Sequence, residues 1–108
     1  MPTFMLMSRH TAADCPLNNP EHLKVAAEGW PQMETLAKKH GVKIIGTWTA
    51  HLGYLVVQVV EAPNFEAYMA MWMEPQLQTM LHASMNEITP MLTHPEIEQL
   101  LKQSMQQK

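Results

Sequence analysis

Five side chains in this sequence stand out for the chemistry they could do together: His10, Cys15, His22, His51 and His82. Imidazole nitrogens and a thiolate are the donors that zinc and copper prefer, and Asp14 beside Cys15 adds an oxygen donor or an orienting group. His10, Cys15 and His51 are the core of this candidate set, with His22 or His82 next. Three protein ligands would leave a metal position open for water or substrate, and a fourth would close it. The spacing from His10 to Cys15 is not that of a zinc finger, and Cys15-Pro16 also reads as a small side chain buried in a turn. The expected cofactor is zinc or copper at this set, and otherwise none.

A second set is apolar. Trp30, Trp48, Tyr54, Met69 and Trp72 are expected to wall a cleft for a small apolar molecule, because Gly29-Trp30-Pro31 interrupts a helix where continuous packing would otherwise close the space. Eleven methionines in 108 residues suggest thioether ligation of cuprous ion. The simpler reading is adaptable core filler, with Met69 and Met73 on a helical stripe with Phe65 and Trp72. The sequence contains no phosphate-binding glycine loop, nucleophile elbow or defensible carboxylate pair.

These residues are placed by elements that the pattern makes plain. Val42 to Glu61 reads as a hairpin with β-branched and aromatic arms, and Gly53 sits where its connection calls for a positive φ. Its second arm is apolar on both sides: Tyr54, Val56, Gln58 and Val60 point one way, and Leu55, Val57, Val59 and Glu61 the other. Thr3 to Arg9 is a first strand of the same kind, with Phe4, Leu6 and Ser8 opposed to Met5 and Met7. Strands with two apolar sides need cover on both faces of their sheet. The chain's helices can cover one face, and the other calls for a second copy, hence a homodimer joined through the sheet.

The remaining elements follow from caps and periods. Asn19-Pro20 opens a helix in which Leu23, Ala26, Ala27, Trp30, Met33 and Ala37 recur at helical spacing as far as His40-Gly41. Asn64 caps another, which Glu74-Pro75 ends or bends, and Gln76 to Leu81 adds further turns with Leu77, Met80 and Leu81 inward. Met85 to Thr93 is a fourth strand whose Pro90 favours an edge. From Pro95 onward a helix carries Ile97, Leu100, Leu101 and Met105 on one face.

The order strand, helix, strand, strand, helix, strand with a helical tail is the split βαβ pattern, so the expected fold class is α+β, ferredoxin-like βαββαβ, with a four-stranded antiparallel sheet and a C-terminal helix. Residues 1–108 form one domain of this kind. In that topology the ends of strands one and two and the start of strand four share a rim. His10, His22, His51, His82 and Cys15 fall there, with His40 and His94 at the opposite end.

Composition narrows the field. Hydrophobic residues make up 46% and charged residues 16%, lean in charge for a small monomer, and the net charge of −3 leaves no basic stripe for nucleic acid. No stretch suits a membrane span and the amino terminus does not read as a signal peptide, so the default compartment is the cytoplasm. The single cysteine excludes an internal disulfide.

The hairpin residues Gly41-Val-Lys-Ile-Ile-Gly-Thr-Trp48, Gly53-Tyr54, the run Val59-Val-Glu-Ala-Pro63 and the Ile88-Thr-Pro-Met-Leu92 segment resemble the dimeric α/β-barrel superfamily, near its small Gly-Tyr-Asp-type and uncharacterised members. Leu55 stands where the signature aspartate would be. The resemblance covers roughly residues 3 to 93. It implies two subunits packed sheet against sheet in a barrel with the helices outside. The superfamily's activities include cofactor-independent monooxygenation, haem degradation and lactone isomerisation. Its haem-degrading members use an Asn, a Trp and a His in a cleft between sheet and helices. Trp72 is comparable with that Trp, and the first strand carries no Asn. Three functions are then to be weighed: a metal-dependent protein at the rim, a monooxygenase-like or isomerase-like enzyme or binding protein for a small apolar molecule in the cleft, or an interaction module whose purpose is its dimer.

Overall fold

A computed structural model describes the whole chain except Ala12, Asp14, Leu17, Asn18, His51, Leu52, Gly53, Ala83 and Lys108. The elements run β1 (Thr3–Arg9), α1 (Pro20–Gly29), a 3₁₀ turn (Trp30–Gln32), α2 (Met33–Lys39), β2 (Lys43–Thr49), β3 (Leu55–Glu61), α3 (Phe65–Trp72), α4 (Pro75–His82), β4 (Met85–Met91) and α5 (His94–Gln106). The sheet order is β2-β3-β1-β4 with every neighbouring pair antiparallel, an α+β architecture whose strand order is compatible with a ferredoxin-like fold. Pro90 lies in β4, an edge strand, where a missing backbone donor costs least.

The register decides what each face carries. Phe4 pairs with Val60, Leu6 with Gln58 and Ser8 with Val56, while Met5 pairs with Val59 and Met7 with Val57. Phe4, Leu6, Gln58 and Val60 are buried beneath the helices; Met5, Met7, Val57 and Val59 stay half-buried on the open side. The core under the helices is completed by Met33, Leu36, Ala37, Val42, Ala62, Tyr68, Met71, Trp72 and Leu77.

Local chemistry sets the helix boundaries. The Asn19 side chain accepts from the backbone N–H groups of Glu21 and His22, at 3.1 and 3.2 Å, and Pro20 occupies the first turn. Asn64 accepts from Ala67 N at 2.8 Å to start α3. Pro31 converts the middle of the first helical segment into the 3₁₀ turn.

Two helical faces differ from the sequence expectation. In α3 the buried residues are Tyr68, Met71 and Trp72, whereas Phe65 and Met73 are exposed. Almost every position in that helix is apolar, so its period leaves the inward direction open, and the Tyr68 hydroxyl settles it by donating to Gln58 Oε1 at 2.5 Å. In α1, Leu23, Ala27 and Trp30 lie on the exposed side and Ala26 and Gly29 are the inward residues. There the contact is with α4, and it is too close for larger side chains: a Cβ on Gly29 would stand 2.7 Å from the Gln76 carbonyl oxygen.

Gln58 is a fully buried polar side chain. Besides accepting from Tyr68, it donates through Nε2 to Thr47 Oγ1 at 3.0 Å and approaches Met33 Sδ at 3.1 Å. One amide therefore joins β2, β3, α2 and α3. Burial pushes the Tyr68 phenol well above its ordinary pKa, so it remains a donor.

Replacing Tyr68 by Phe should strip the Gln58 oxygen of its partner and destabilise the fold by about 1–3 kcal/mol. Urea unfolding monitored by circular dichroism reads this directly; an unchanged midpoint would contradict the assigned bond.

At the surface, Lys39 Nζ donates to both Glu74 oxygens at 3.0 and 3.1 Å, and His40 Nε2 lies 3.5 Å from Glu74 Oε1, tying the end of α2 to the junction of α3 and α4. The hydrogen bond from Lys39, reinforced by its charge, holds the Glu74 carboxyl below the usual carboxylate range. A carboxyl depressed by folding adds stability above its unfolded pKa and loses it as pH falls through the folded one. The stability gap between wild type and Glu74→Gln should thus be open at pH 7 and close during acid titration. A gap that widens towards low pH would refute this assignment.

Candidate functional site

The site is built where strand ends meet. Arg9 pairs with Leu55 and with Met85, and Thr49 pairs with Val56, so the end of β1, the end of β2 and the starts of β3 and β4 share one rim. Between this end of the sheet and the helices lies a cavity of about 80 Å³. Its floor is Leu6, Ser8 and Val56 of the sheet. One wall is His22, Val25, Ala26 and Trp30 from α1 and the 3₁₀ turn, the opposite wall is Thr79, Met80 and Leu81 of α4, and Trp72 of α3 closes the inner side. His10, Pro16, Ser84 and Asn86 stand at the mouth.

A wider groove of about 530 Å³ adjoins it, sharing His10, Pro16, Ala26, Trp30 and Val56 and adding Cys15 and the Thr47–Ala50 stretch. Enclosed space and groove together form one cleft, mostly apolar within and polar at the rim.

The polar rim is ordered. Ser8 Oγ donates to Ser84 Oγ at 3.0 Å, and the Ser84 hydroxyl lies 3.0 Å from the Met80 carbonyl and 3.2 Å from Asn86 Oδ1. Asn86 Nδ2 donates to the Leu81 carbonyl at 2.6 Å. This chain fastens the end of α4 to the start of β4 and so fixes the mouth.

His10 is held by its own backbone N–H donating to the Tyr54 carbonyl at 3.3 Å and by an edge-on ring contact with Tyr54, centroids 6.0 Å apart. Its Nε2 is buried and makes no hydrogen bond among the described residues. The Trp72 indole N–H stands near the Tyr68 hydroxyl but makes no hydrogen bond of good geometry. A buried polar group left in this state costs about 1–3 kcal/mol, which a bound polar group would recover.

The sequence-predicted residues are distributed as follows. His10 and His22 both line the cavity, and His10 and Cys15 both line the groove. His82 ends α4 and is exposed. His51 and Asp14 lie outside the described residues. Among the described residues no group of three or more His, Cys, Asp or Glu is placed to hold a metal ion.

Of the aromatic set, Trp30 and Trp72 line the cavity and Trp48 borders the groove; Tyr54 and Met69 are absent from the described lining. Trp48 lies opposite Val57 on the open face, 58% exposed, and its ring covers Gly46, where an added Cβ would meet the indole at 2.5 Å.

Sequence reading passed over Ser84 and Asn86, whose role rests on a turn following α4, and Ala26, whose small size is what leaves the space open. The one available signal was Ser8, a polar residue on the strand face that otherwise carries Phe4 and Leu6.

No protein-family model and no curated protein matches the chain. Among solved structures it is similar to an X-ray structure of the Agrobacterium tumefaciens protein Atu4242, a structural-genomics target. The two are 14% identical with a TM-score of 0.46, over 85% of this chain and 95% of that one.

Cys15 is 1% exposed, and its carbonyl accepts from Asn19 N at 2.9 Å just before α1. Its thiol should therefore react slowly with an aromatic disulfide reagent in the folded protein and fast in urea. Equal rates in the two states would place it at the surface.

Proposed function

We propose that this protein binds a small, largely apolar molecule in the cleft between the sheet and the helices, with a single polar group of the ligand held at the His10 end. The observation carrying this reading is that a mostly apolar cavity is lined by two rings, His10 and Trp72, that each keep a buried nitrogen without a good hydrogen bond. Apolar walls with a few convergent polar groups are the usual composition of a small-molecule site. The enclosed space is smaller than the roughly 150 Å³ that accommodates a benzene ring. It suits the buried end of a ligand whose remainder runs out along the groove beside Pro16, Thr47 and Thr49.

The resemblance to the dimeric α/β-barrel superfamily supports the same cleft, since cofactor-independent monooxygenase-like and isomerase-like chemistry in that superfamily would be done between sheet and helices. In such an enzyme His10 is the side chain suited to exchange a proton with the ligand's polar group, because an imidazole ring can both donate and accept one. The same resemblance implies a homodimer formed through the open sheet face, where Met5, Met7, Val57 and Val59 lie half-buried in the single chain.

Para-cresol and 2-naphthol are suitable probes, each a flat apolar body with one hydroxyl. Titration should change tryptophan emission through Trp30 and Trp72. Ala26→Phe, which fills the cavity, should abolish the response while the fold persists. His10→Leu should weaken binding by about tenfold, the value of one hydrogen bond in a dry site. No response to either probe up to millimolar concentration, together with an Ala26→Phe chain more stable than wild type, would reduce the cavity to a packing defect.

A further inference from the structure

The C-terminal helix is firmly capped yet buries none of its own residues. Thr93 Oγ1 accepts from Glu96 N while the Glu96 carboxylate accepts from Thr93 N, a complete capping box, and these bonds hold the Glu96 carboxyl below its ordinary pKa. Yet none of the thirteen residues of α5 is buried. Its apolar stripe is open, with Leu100 at 50%, Leu101 at 59% and Met105 at 75% exposure.

Surface area measures what is missing. A compact monomer of 12.3 kDa exposes about 6,100 Å², and this chain exposes 7173 Å². Its radius of gyration is 16.2 Å, against about 13 Å for a compact chain of this length. Covering that surplus on two copies would bury about 2,000 Å² in total, the size of a specific, stable interface. The open sheet face and the α5 stripe are both apolar and both uncovered in the same chain, so a second copy supplies what each lacks.

Symmetry then indicates where α5 goes. Two sheets can pack face to face about a two-fold axis across the strands, which stacks β4 on β4, or along them, which sets edge strand β4 of one copy over edge strand β2 of the other; only the second brings α5 to a different, apolar edge. Ile45 and Trp48 of β2 are exposed, at 49% and 58%. Within one chain the two edges are separated by β1 and β3, about 14 Å of sheet.

We propose that α5 is exchanged between two copies, its Ile97, Leu100, Leu101 and Met105 stripe seated on the partner's β2 edge around the partner's Ile45 and the partner's Trp48. This rests on the sheet-face homodimer proposed above and adds the helix to it.

The full chain is tested by sedimentation and by crosslinking. Leu101→Glu should raise the dimer dissociation constant by about a hundredfold or more, because the charge would be desolvated without a partner, while helix content in circular dichroism is retained. In a Cys15→Ser background, Leu101→Cys with Ile45→Cys should oxidise to a covalent dimer. A wild-type monomer at tens of micromolar would sink both the dimer and the exchange. A dimer indifferent to Leu101→Glu, or a disulfide formed within one chain, would overturn the exchange alone.

Discussion

The pairing of β1 with β3 is the constraint on which the rest of the structure depends. These are the two central strands, and their register sets Phe4, Leu6, Gln58 and Val60 under the helices and Met5, Met7, Val57 and Val59 on the other face. A slip of one residue would exchange the two sets, because side chains alternate with a period of two. Both sets are mainly apolar, so hydrophobicity alone distinguishes the registers poorly. Gln58 separates them. Beneath the helices its oxygen accepts from Tyr68 while its amide nitrogen donates across the strand to Thr47, and on the open face the Tyr68 hydroxyl would be out of reach.

The same constraint explains why there is a cleft. Large side chains fill the far end of the helix-covered face, where Phe4 and Val60 meet the packed core. Towards the rim the sheet offers Ser8 and Val56, and α1 offers Ala26 and then Gly29, which lets α4 approach closely. Close approach at Gly29 and small residues beside it leave an enclosed gap instead of a continuous core. The 3₁₀ turn carries Trp30 to the edge of that gap, and the fastening of Ser84 and Asn86 to α4 keeps its mouth in one shape.

Much of the fold was legible because its signals are local. Asn19-Pro20 and Asn64 mark helix starts through their own side chains, Pro31 and Pro75 mark interruptions, and alternation defines the strands, with Thr3–Arg9 found at the predicted bounds. What was hidden depends on partners distant in sequence. The inward face of α3 is set by a hydroxyl meeting an amide ten positions earlier, and the inward face of α1 by the backbone of α4. The site divides in the same way. Topology alone brought His10, His22 and Cys15 to the cleft, because strand ends fix loop positions. Which aromatic rings line it depended on side-chain direction: Trp48, two residues beyond Gly46, follows the strand alternation onto the open face, out of the cavity.

The two faces of the sheet differ in composition and so in the contacts they can make. The helix-covered face holds the buried amide, the serine rim and His10, so its polar groups sit where a ligand's polar group can be oriented. Among the described residues the open face carries no such network: its central residues are methionine and valine, bordered by Glu87, Thr89 and the Trp48 ring. Methionine and valine offer contact area without hydrogen-bonding direction, which suits burial against another apolar surface and suits recognition of a polar small molecule poorly. On the function proposed above, an occupant of the cleft would be read by a few directed groups, whereas cover for the open face would be selected by shape and area.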